Sequence, residues 1–237
     1  IGVSSRFNAN ASGYLDIAYA LMVLILLSGC IALNLRIQRI RAKLQQQREA
    51  LAQALEVNRE LATRDELTGL INRRAMLDLM ALEHRRSLRS GRPMLLAQLD
   101  IDHFKPINDQ HGHATGDRAL QAFAGTVRAC VRDTDFLARW GGEEFVLMLT
   151  DTSAEHAREL LERIRQAVQA LEIAHSAGSL QLTVSIGLAQ HLPGDTVEHT
   201  LERADQALYH AKALGRNRVV VAPATHRTVA AGTSARA

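Results

Sequence analysis

The stretch Phe136–Leu149, FLARWGGEEFVLML, predicts a β-hairpin and sets the fold class of the domain around it. Two apolar arms flank Gly141 and Gly142, which is typical of antiparallel strands joined by a tight turn. Glycine permits the backbone conformations of such turns and lets a ligand approach the main chain closely. Two adjacent carboxylates, Glu143 and Glu144, follow the turn, and a bound metal ion would relieve their mutual repulsion. The hairpin is therefore a candidate metal site.

A second carboxylate site lies upstream, at the end of Met94–Ile101, MLLAQLDI, which predicts a buried strand. Asp100 and Asp102 stand two positions apart, and alternation along a strand places both on one face. Oxygen ligands of this kind suit Mg²⁺, which shares its coordination shell with water and phosphates. Either site alone also fits a solvated loop or an ordinary turn. Together they form the type of carboxylate pair that holds two metal ions for nucleotidyl transfer.

The segments around both sites predict an α+β domain over residues 65–223. Periodicity and capping residues predict helices over Arg73–Arg89, Thr115–Val131, Ser153–Leu171 and Val197–Leu214, and further strands over Leu180–Ala189 and Arg218–Val221. The order lacks regular βαβ alternation, so we expect a central, mostly antiparallel sheet flanked by helices. Residues 224–237 are predicted to be a disordered tail.

An uncharged segment, Ile17–Leu35, predicts a transmembrane helix. Its length as a helix is roughly 28 Å, close to the hydrocarbon thickness of a bilayer. Four basic residues follow it (Arg36, Arg39, Arg41 and Lys43). The charged residues before it are Arg6 and Asp16 alone. The positive-inside rule then places the C-terminal side in the cytoplasm and residues 1–16 outside it. A buried core helix and a cleaved signal peptide, including a lipoprotein-type site at Leu27–Cys30, are the alternatives.

Residues 36–64 predict a coiled-coil helix. The a positions are Ile37, Leu44, Leu51 and Asn58, and the d positions are Ile40, Gln47, Ala54 and Leu61. Six of these eight residues are apolar, and neither glycine nor proline interrupts the segment. This pattern favours a parallel homodimer, in which a polar a residue such as Asn58 fixes the register. A single amphipathic helix packed on the domain is the alternative.

Composition limits the classes of function. Of 237 residues, 47% are hydrophobic and 22% charged, which indicates a folded chain. The aromatic content of 4% disfavours a surface that stacks single-stranded bases. The net charge of +3 is too small to indicate a polyanionic partner. We therefore expect no nucleic-acid partner. Two cysteines exclude a disulfide scaffold and a four-cysteine zinc site.

Five motifs in order resemble those of the GGDEF diguanylate cyclases. Gly141–Phe145 is similar to the family's signature in its GGEEF form, and the other four are Asp65–Arg74, Asp100–Asp117, Thr183–Gly187 and Tyr209–Arg218. The resemblance implies a palm-like α+β fold that condenses two GTP into cyclic di-GMP and releases two pyrophosphates. One domain would bind one GTP, so the chemistry implies two facing domains of a homodimer. It also implies a bacterial inner-membrane protein with a cytoplasmic catalytic domain.

By this resemblance, the metal and catalytic residues lie at the two carboxylate sites. Asp100, the carbonyl of Ile101 and Glu143 would bind Mg²⁺, two ions per active site, with Mn²⁺ as an alternative. Glu144 would assist at the metal or in deprotonating the attacking 3′-hydroxyl. Which glutamate acts as the base stays open.

The same resemblance implies a GTP site. Asn108 and Asp117 would read the guanine edge, because a carboxylate accepts hydrogen bonds from N1–H and the exocyclic amine. His113 lies between them as a further nucleotide contact. The remaining implied residues face the phosphates: the backbone amides of His103, Phe104 and Lys105, and the cations Lys212 and Arg216. The Lys105 side chain fits a plain surface charge equally well.

Arg132 and Asp135 resemble a product-binding inhibitory site of the family. Their Arg-x-x-Asp ends six positions before Gly141, the spacing that the family shows. Arginine can bind a phosphate or a guanine edge through two hydrogen bonds, and aspartate can accept from guanine N–H groups. Arg163 resembles a secondary arginine of that site. Cyclic di-GMP is thus expected as product and inhibitor, and an exposed ion pair at a helix end is the alternative.

Two other functions remain open at this stage. The domain could be a catalytically inactive receptor or dimerisation scaffold, although neither carboxylate site has decayed. It could also be a cyclase for another nucleotide, which would need base-reading residues other than Asn108 and Asp117.

Overall fold

The computed structural model describes residues 2–175 and 178–224, without the side chains of residues 2–18, 20, 50, 52–62 and 175. The chain divides into two compact units, Ile1–Arg59 and Glu60–Ala237. The predicted tail, from residue 225 onward, lies outside the described residues.

One long helix, α1, covers Gly2–Thr63. Its segment Leu21–Glu49 has the length and hydropathy (mean 1.9) of a membrane span, and none of it is buried. The described heptad residues are also exposed: Ile37 by 40%, Ile40 by 52%, Leu44 by 53% and Leu51 by 61%. An apolar seam is therefore uncovered in the single chain. The later heptad residues have no described side chains.

The second unit combines short strands with helices, without regular alternation. Its helices are α2 (Arg73–Ser90), α3 (Phe104–His111), α4 (His113–Cys130), α5 (Ala154–Gln169) and α6 (Val197–Ala213). Its strands are β1 (Ile71–Asn72), β2 (Met94–Ile101), β3 (Phe136–Gly141), β4 (Glu144–Thr150), β5 (Glu172–His175), β6 (Gly178–Gln181), β7 (Val184–Gln190) and β8 (Val219–Val221). Side-chain caps mark three helix starts, at Asn72, Ser153 and Thr196.

Six strands form a mixed sheet in the order β1-β3-β4-β2-β7-β8. The three central pairs are antiparallel, and the outer pairs, β1 with β3 and β7 with β8, are parallel. The expected palm-like α+β fold is confirmed, with parallel pairing at both edges of the sheet. The strand predicted over Leu180–Ala189 is two strands. Leu180 pairs with Ile173 in a separate two-stranded sheet, and the chain enters the main sheet only at Val184.

Helices cover both faces of the main sheet. On one face, α2 and α6 enclose a small core that includes Met76, Met80, Leu96, Met148 and Val197. On the other, α3, α4 and α5 enclose a larger core that includes Leu99, Phe123, Phe145, Leu161 and Ile186. Helix α6 lies very close to β7: a Cβ added at Gly187 would stand 2.1 Å from the Ala204 carbonyl oxygen.

Candidate nucleotide and metal site

The two carboxylate sites of the sequence meet in the sheet. Asp100, near the end of β2, pairs directly with Glu144, the first residue of β4. Opposite residues of an antiparallel ladder have their side chains on the same face, 4.5–5.5 Å apart at Cβ as a rough guide. The backbone N–H of Ile101 also donates to the Glu143 carbonyl at 3.3 Å. The hairpin thus brings both glutamates to the end of the strand that carries Asp100.

Asp100 lies in a crowded electrostatic environment. Its side chain is 10% exposed, and the Lys212 ammonium of α6 is 2.8 Å from its Oδ2. Burial raises the pKa of Asp100 above its ordinary value, Lys212 opposes that shift, and the charges of Glu143 and Glu144 add to it. Additional positive charge near Asp100 would therefore stabilise its ionised form.

The donor set at this strand end is made of hard oxygens, which fit Mg²⁺ or Mn²⁺. Among the residues that the structure describes, no three His, Cys, Asp or Glu side chains form a complete metal cage. The residues present therefore fit an ion that takes further ligands from the Ile101 carbonyl, water and a substrate phosphate.

Asp102 is occupied by structural hydrogen bonds. It is 4% exposed, and its carboxylate accepts from the Thr183 hydroxyl at 2.8 Å and the Ser185 hydroxyl at 2.7 Å. It also accepts from the backbone N–H of Asn217 at 3.1 Å. Asp102 therefore fastens β2 to β7 and to the turn after α6, while Asp100 faces Lys212.

The turn after α6 carries the predicted phosphate ligand Arg216. Gly215, Arg216 and Asn217 have positive φ angles of 111°, 62° and 45°, a conformation that costs free energy outside glycine. The Arg216 N–H donates to the Ala211 carbonyl at 3.0 Å, and Asn217 is held by Asp102. Sequence reasoning missed Asp102 as the residue that holds this turn, because only the folded sheet brings the two segments together.

The predicted phosphate cradle lies where α3 begins. His103 precedes the helix in the left-handed region, with φ of 57°. First-turn amides of a helix have no intrahelical acceptor and attract anions. His103 and Lys105 are exposed, whereas the Phe104 side chain is buried in the larger core. The start of α3 therefore offers backbone N–H groups to an anion. The buried Phe104 ring fixes this end of the helix to the larger core.

The predicted base-reading residues lie on two consecutive helices. Asn108 is in the second turn of α3 and is half-buried, and Asp117 is exposed in the first turns of α4. His113 is exposed at the start of α4. Gly112, with φ of 78°, ends α3 and donates its N–H to the Asn108 carbonyl at 2.9 Å. The sharp bend at Gly112 brings the two helices into contact.

Arg139 supports the glycine turn of the hairpin, a role that sequence reasoning missed. Its Nε and Nη2 donate to the Gly142 carbonyl at 3.0 and 2.9 Å, and its Nη1 donates to both Asp65 oxygens at 3.2 Å. Burial would raise the pKa of Asp65, but hydrogen bonds from Thr68 and the Arg139 charge outweigh it and lower that pKa. Asp65 begins one of the motifs and Arg139 lies two residues before another, yet no sequence pattern joins them.

The three predicted inhibitory residues lie near the end of α4, two of them just after it and the third on α5. The Arg132 N–H donates to Asp135 Oδ2 at 3.1 Å, and the Asp135 N–H donates to the Arg132 carbonyl at 3.0 Å. Arg163, on α5, donates to the Cys130 carbonyl at 3.0 Å. Asp135 thus contacts the main chain of Arg132, and Arg132 is an exposed residue. The assignment of these residues to product binding stays a prediction.

Comparison with known proteins gives matches to this domain. Residues 62–218 match the family profile described as "Diguanylate cyclase, GGDEF domain". Diguanylate cyclase DgcP of Pseudomonas aeruginosa is 46% identical over 179 residues, which cover 76% of this chain and 27% of that protein. Response regulator PleD of Caulobacter vibrioides is 41% identical over 187 residues, which cover 77% of this chain and 41% of that protein. The chain thus spans less than half the length of these relatives.

A solved structure matches a longer part of this chain than the domain alone. It is the crystal structure of the coiled coil and GGDEF domain of DgcB from Caulobacter crescentus in complex with c-di-GMP. Its TM-score is 0.75 at 35% sequence identity, and the match covers 78% of this chain and 99% of that one.

Proposed function

The chain belongs to the GGDEF-domain diguanylate cyclase family, and from this membership we propose that it condenses two GTP into cyclic di-GMP. Two pyrophosphates would be released. The observation that carries the proposal is the pairing of Asp100 with Glu144 at the strand end, beside Glu143 and the Lys212 ammonium. The burial of Asp100 beside these two glutamates concentrates negative charge that bound metal ions would neutralise.

Asp100, the Ile101 carbonyl and Glu143 would hold two Mg²⁺ ions, with Mn²⁺ as the alternative. When bound, these ions stabilise charge on the reacting phosphate and acidify the attacking hydroxyl. Either Glu143 or Glu144 would accept the proton from the 3′-hydroxyl oxygen. The residues of the hairpin turn, held by Arg139, keep both carboxylates beside β2.

The remaining site residues would bind and orient GTP. Asn108 and Asp117 would read the guanine, with His113 beside them. The amides of His103, Phe104 and Lys105 would bind the terminal phosphates, together with Lys212 and Arg216. Lys212 contacts Asp100 at 2.8 Å, so the same ammonium can link the carboxylates to the substrate phosphates.

Each domain would contribute one GTP, so the active form would be a homodimer. The exposed residues Ile37, Ile40, Leu44 and Leu51 supply an apolar seam for a parallel coiled coil over residues 36–64. The related DgcB structure contains a coiled coil next to its GGDEF domain. Pairing through this helix would raise the local concentration of the two active halves.

The apolar part of α1 would anchor the protein in the bacterial inner membrane through residues 17–35, with the catalytic domain in the cytoplasm. The hydropathy of α1 and the basic residues after it support this topology. Cyclic di-GMP would also inhibit the enzyme at Arg132, Asp135 and Arg163. The clustering of these residues at the end of α4 supports that role.

Incubation of the full chain, purified in detergent, with GTP and Mg²⁺ tests the proposed activity. Separation of the nucleotides should show cyclic di-GMP with two pyrophosphates for each product, and chelation of the metal should stop its formation. ATP in place of GTP is the control for a cyclase of another nucleotide. Binding of cyclic di-GMP without any synthesis would indicate the inactive receptor and overturn the proposal.

A further inference from the structure

Gly116 lies where the two base-reading helices touch. It is buried in the first turn of α4, next to Asp117 in sequence. A Cβ placed on Gly116 would stand 1.9 Å from Asn108 Oδ1 and 3.0 Å from Asn108 Cγ. The Asn108 amide therefore occupies the volume that any other residue at position 116 would fill.

Packing against Gly116 of α4 positions the Asn108 side chain. Within the described part of the chain, its amide forms no hydrogen bond with another residue, so its polar atoms remain available to a ligand. Its main chain is fixed, because the Asn108 carbonyl accepts from Gly112 at 2.9 Å. The position of the amide thus depends on the space beside α4.

We propose that Gly116 is the positioning residue for base recognition. Its missing side chain lets Asn108 lie against α4, so that Asn108 and Asp117 address one base together. This inference rests on the proposed function, because it takes guanine as the ligand of both residues. An amide can donate to the guanine O6 or N7, while the carboxylate accepts from N1–H and the amine. Displacing Asn108 would remove the first set of contacts and leave the second.

The consequence of a larger residue would be local. The three atoms nearest to the added Cβ outside helix α4 belong to two side chains, those of Asn108 and Phe104. Alanine is also a better helix former than glycine, by about 1 kcal/mol. Gly116→Ala should therefore keep α4 intact and move the Asn108 amide.

Helix α4 provides its own matched control. Gly125 lies on the same helix, is exposed, and has no atom within 4 Å of an added Cβ. Gly116→Ala and Gly125→Ala thus make the same chemical change, and only the first meets Asn108. Asn108→Ala and the double variant Asn108→Ala with Gly116→Ala complete a double-mutant cycle.

The experiment uses the full chain with GTP, ATP and Mg²⁺, and it separates KM from kcat. Gly116→Ala should raise the KM for GTP about fivefold or more, the loss of one base-reading hydrogen bond. It should change kcat by less than about twofold, because the carboxylates of β2 and β4 do not move. The preference for GTP over ATP should fall. Gly125→Ala should match the wild type, and the double variant should match Asn108→Ala.

Two results would overturn the inference: an unchanged KM in Gly116→Ala, or a further loss when Gly116→Ala is added to Asn108→Ala. If Gly116→Ala alone fails to fold, the double variant decides, because removing the Asn108 amide should restore folding. Failure of both variants to fold would count against the proposal. Calorimetric binding of GTP to the same variants gives the answer even if the wild type makes no cyclic di-GMP. Failure of the proposed function is thus distinguishable from failure of this inference.

Discussion

Arg139 contacts both carboxylate oxygens of Asp65 at 3.2 Å, and the same guanidinium holds the Gly142 carbonyl of the hairpin turn. One side chain therefore joins the segment that follows α1 to the turn that precedes Glu143 and Glu144. Its exposed fraction is 17%, and that of Asp65 is 22%. Because partial burial reduces solvent screening, such a pair contributes more to the free energy of unfolding than a fully exposed pair does.

Arg139→Met should lower the free energy of unfolding by about 1–3 kcal/mol, because Asp65 loses its ion pair and the Gly142 carbonyl loses its two guanidinium donors. Arg92→Met is the control. The Arg92–Asp151 pair is shorter, at 2.6 Å, but its side chains are 61% and 49% exposed, so its loss should cost less than about 1 kcal/mol. Urea denaturation measures both, and an equal loss in the two variants would refute the assigned role.

The same pair predicts a pH dependence. The pKa of Asp65 is lowered in the folded protein, so its contribution to stability is present above the ordinary value of 3.8 and is lost as the pH falls below it. The stability difference between wild type and Asp65→Asn should therefore shrink toward acid pH. A difference that stays constant from pH 7 to below that value would contradict the assignment.

Glu143→Gln should abolish synthesis and leave the fold intact, because a neutral amide is a poor ligand for Mg²⁺. Thermal unfolding should match the wild type, and no cyclic di-GMP should be detected. Glu159→Gln, an exposed change on α5, is the control for the loss of one charge. Product at the wild-type rate from Glu143→Gln would remove this residue from the metal site.

Charging the seam of α1 should weaken the proposed dimer. Leu44→Glu combined with Leu51→Glu would place like charges opposite each other in a parallel pair. Activity per domain should then fall at low protein concentration and recover partly as concentration rises. Gln45→Glu combined with Gln46→Glu adds the same charge outside the a and d positions and should have no such effect. Unchanged activity of the seam variant at every dilution would show that another surface forms the dimer.

Arg132→Ala should weaken the binding of cyclic di-GMP and relieve product inhibition, because it removes a two-pronged donor. Calorimetry measures the binding, and assays with added product measure the inhibition. Arg128→Ala changes an exposed arginine one turn earlier on α4 and should bind product like the wild type. Equal affinity and inhibition in Arg132→Ala would place the inhibitory site elsewhere.

Asp102→Asn should destabilise the domain by about 1–3 kcal/mol, because one of three donors would then face an amide N–H instead of a carboxylate oxygen. Asp109→Asn, on the exposed side of α3, is the control. A readout beyond stability is the KM for GTP, which should rise only in Asp102→Asn since Asp102 holds the turn that carries Arg216. An unaltered KM would limit Asp102 to a purely structural role.

Local pattern was enough to predict the strongest elements. The apolar run Met94–Ile101 has the same bounds as β2, and the Ser153 cap begins α5 as expected. Helix α3 was missed, since its eight residues are too few to show helical periodicity and include Pro106 in the first turn. Strand β1 was also missed, because two residues form a strand only by pairing with β3.

Some features of the candidate site were likewise predictable from the sequence, and others were not. Residue type and spacing pointed to Asp100 and Glu143 as candidate metal ligands, whereas Asn108 was predicted only from the resemblance to the family. Neither the spacing nor the resemblance could show that Arg139 reaches Asp65 or that Asn108 needs Gly116. Such contacts depend on helix packing and sheet register, which arise only when distant segments are folded together.

The close approach of α6 to β7 at Gly187 bears on how loss-of-function alleles should be interpreted. A Cβ there would meet the Ala204 oxygen at 2.1 Å and the Leu208 nitrogen at 2.2 Å, and both atoms belong to the backbone of the helix that carries Lys212. A random screen for inactive alleles should therefore recover substitutions at Gly187 as readily as substitutions at the carboxylates. Such an allele would report a displaced helix rather than a missing catalytic group, and a genetic map alone would place Gly187 in the active site by mistake.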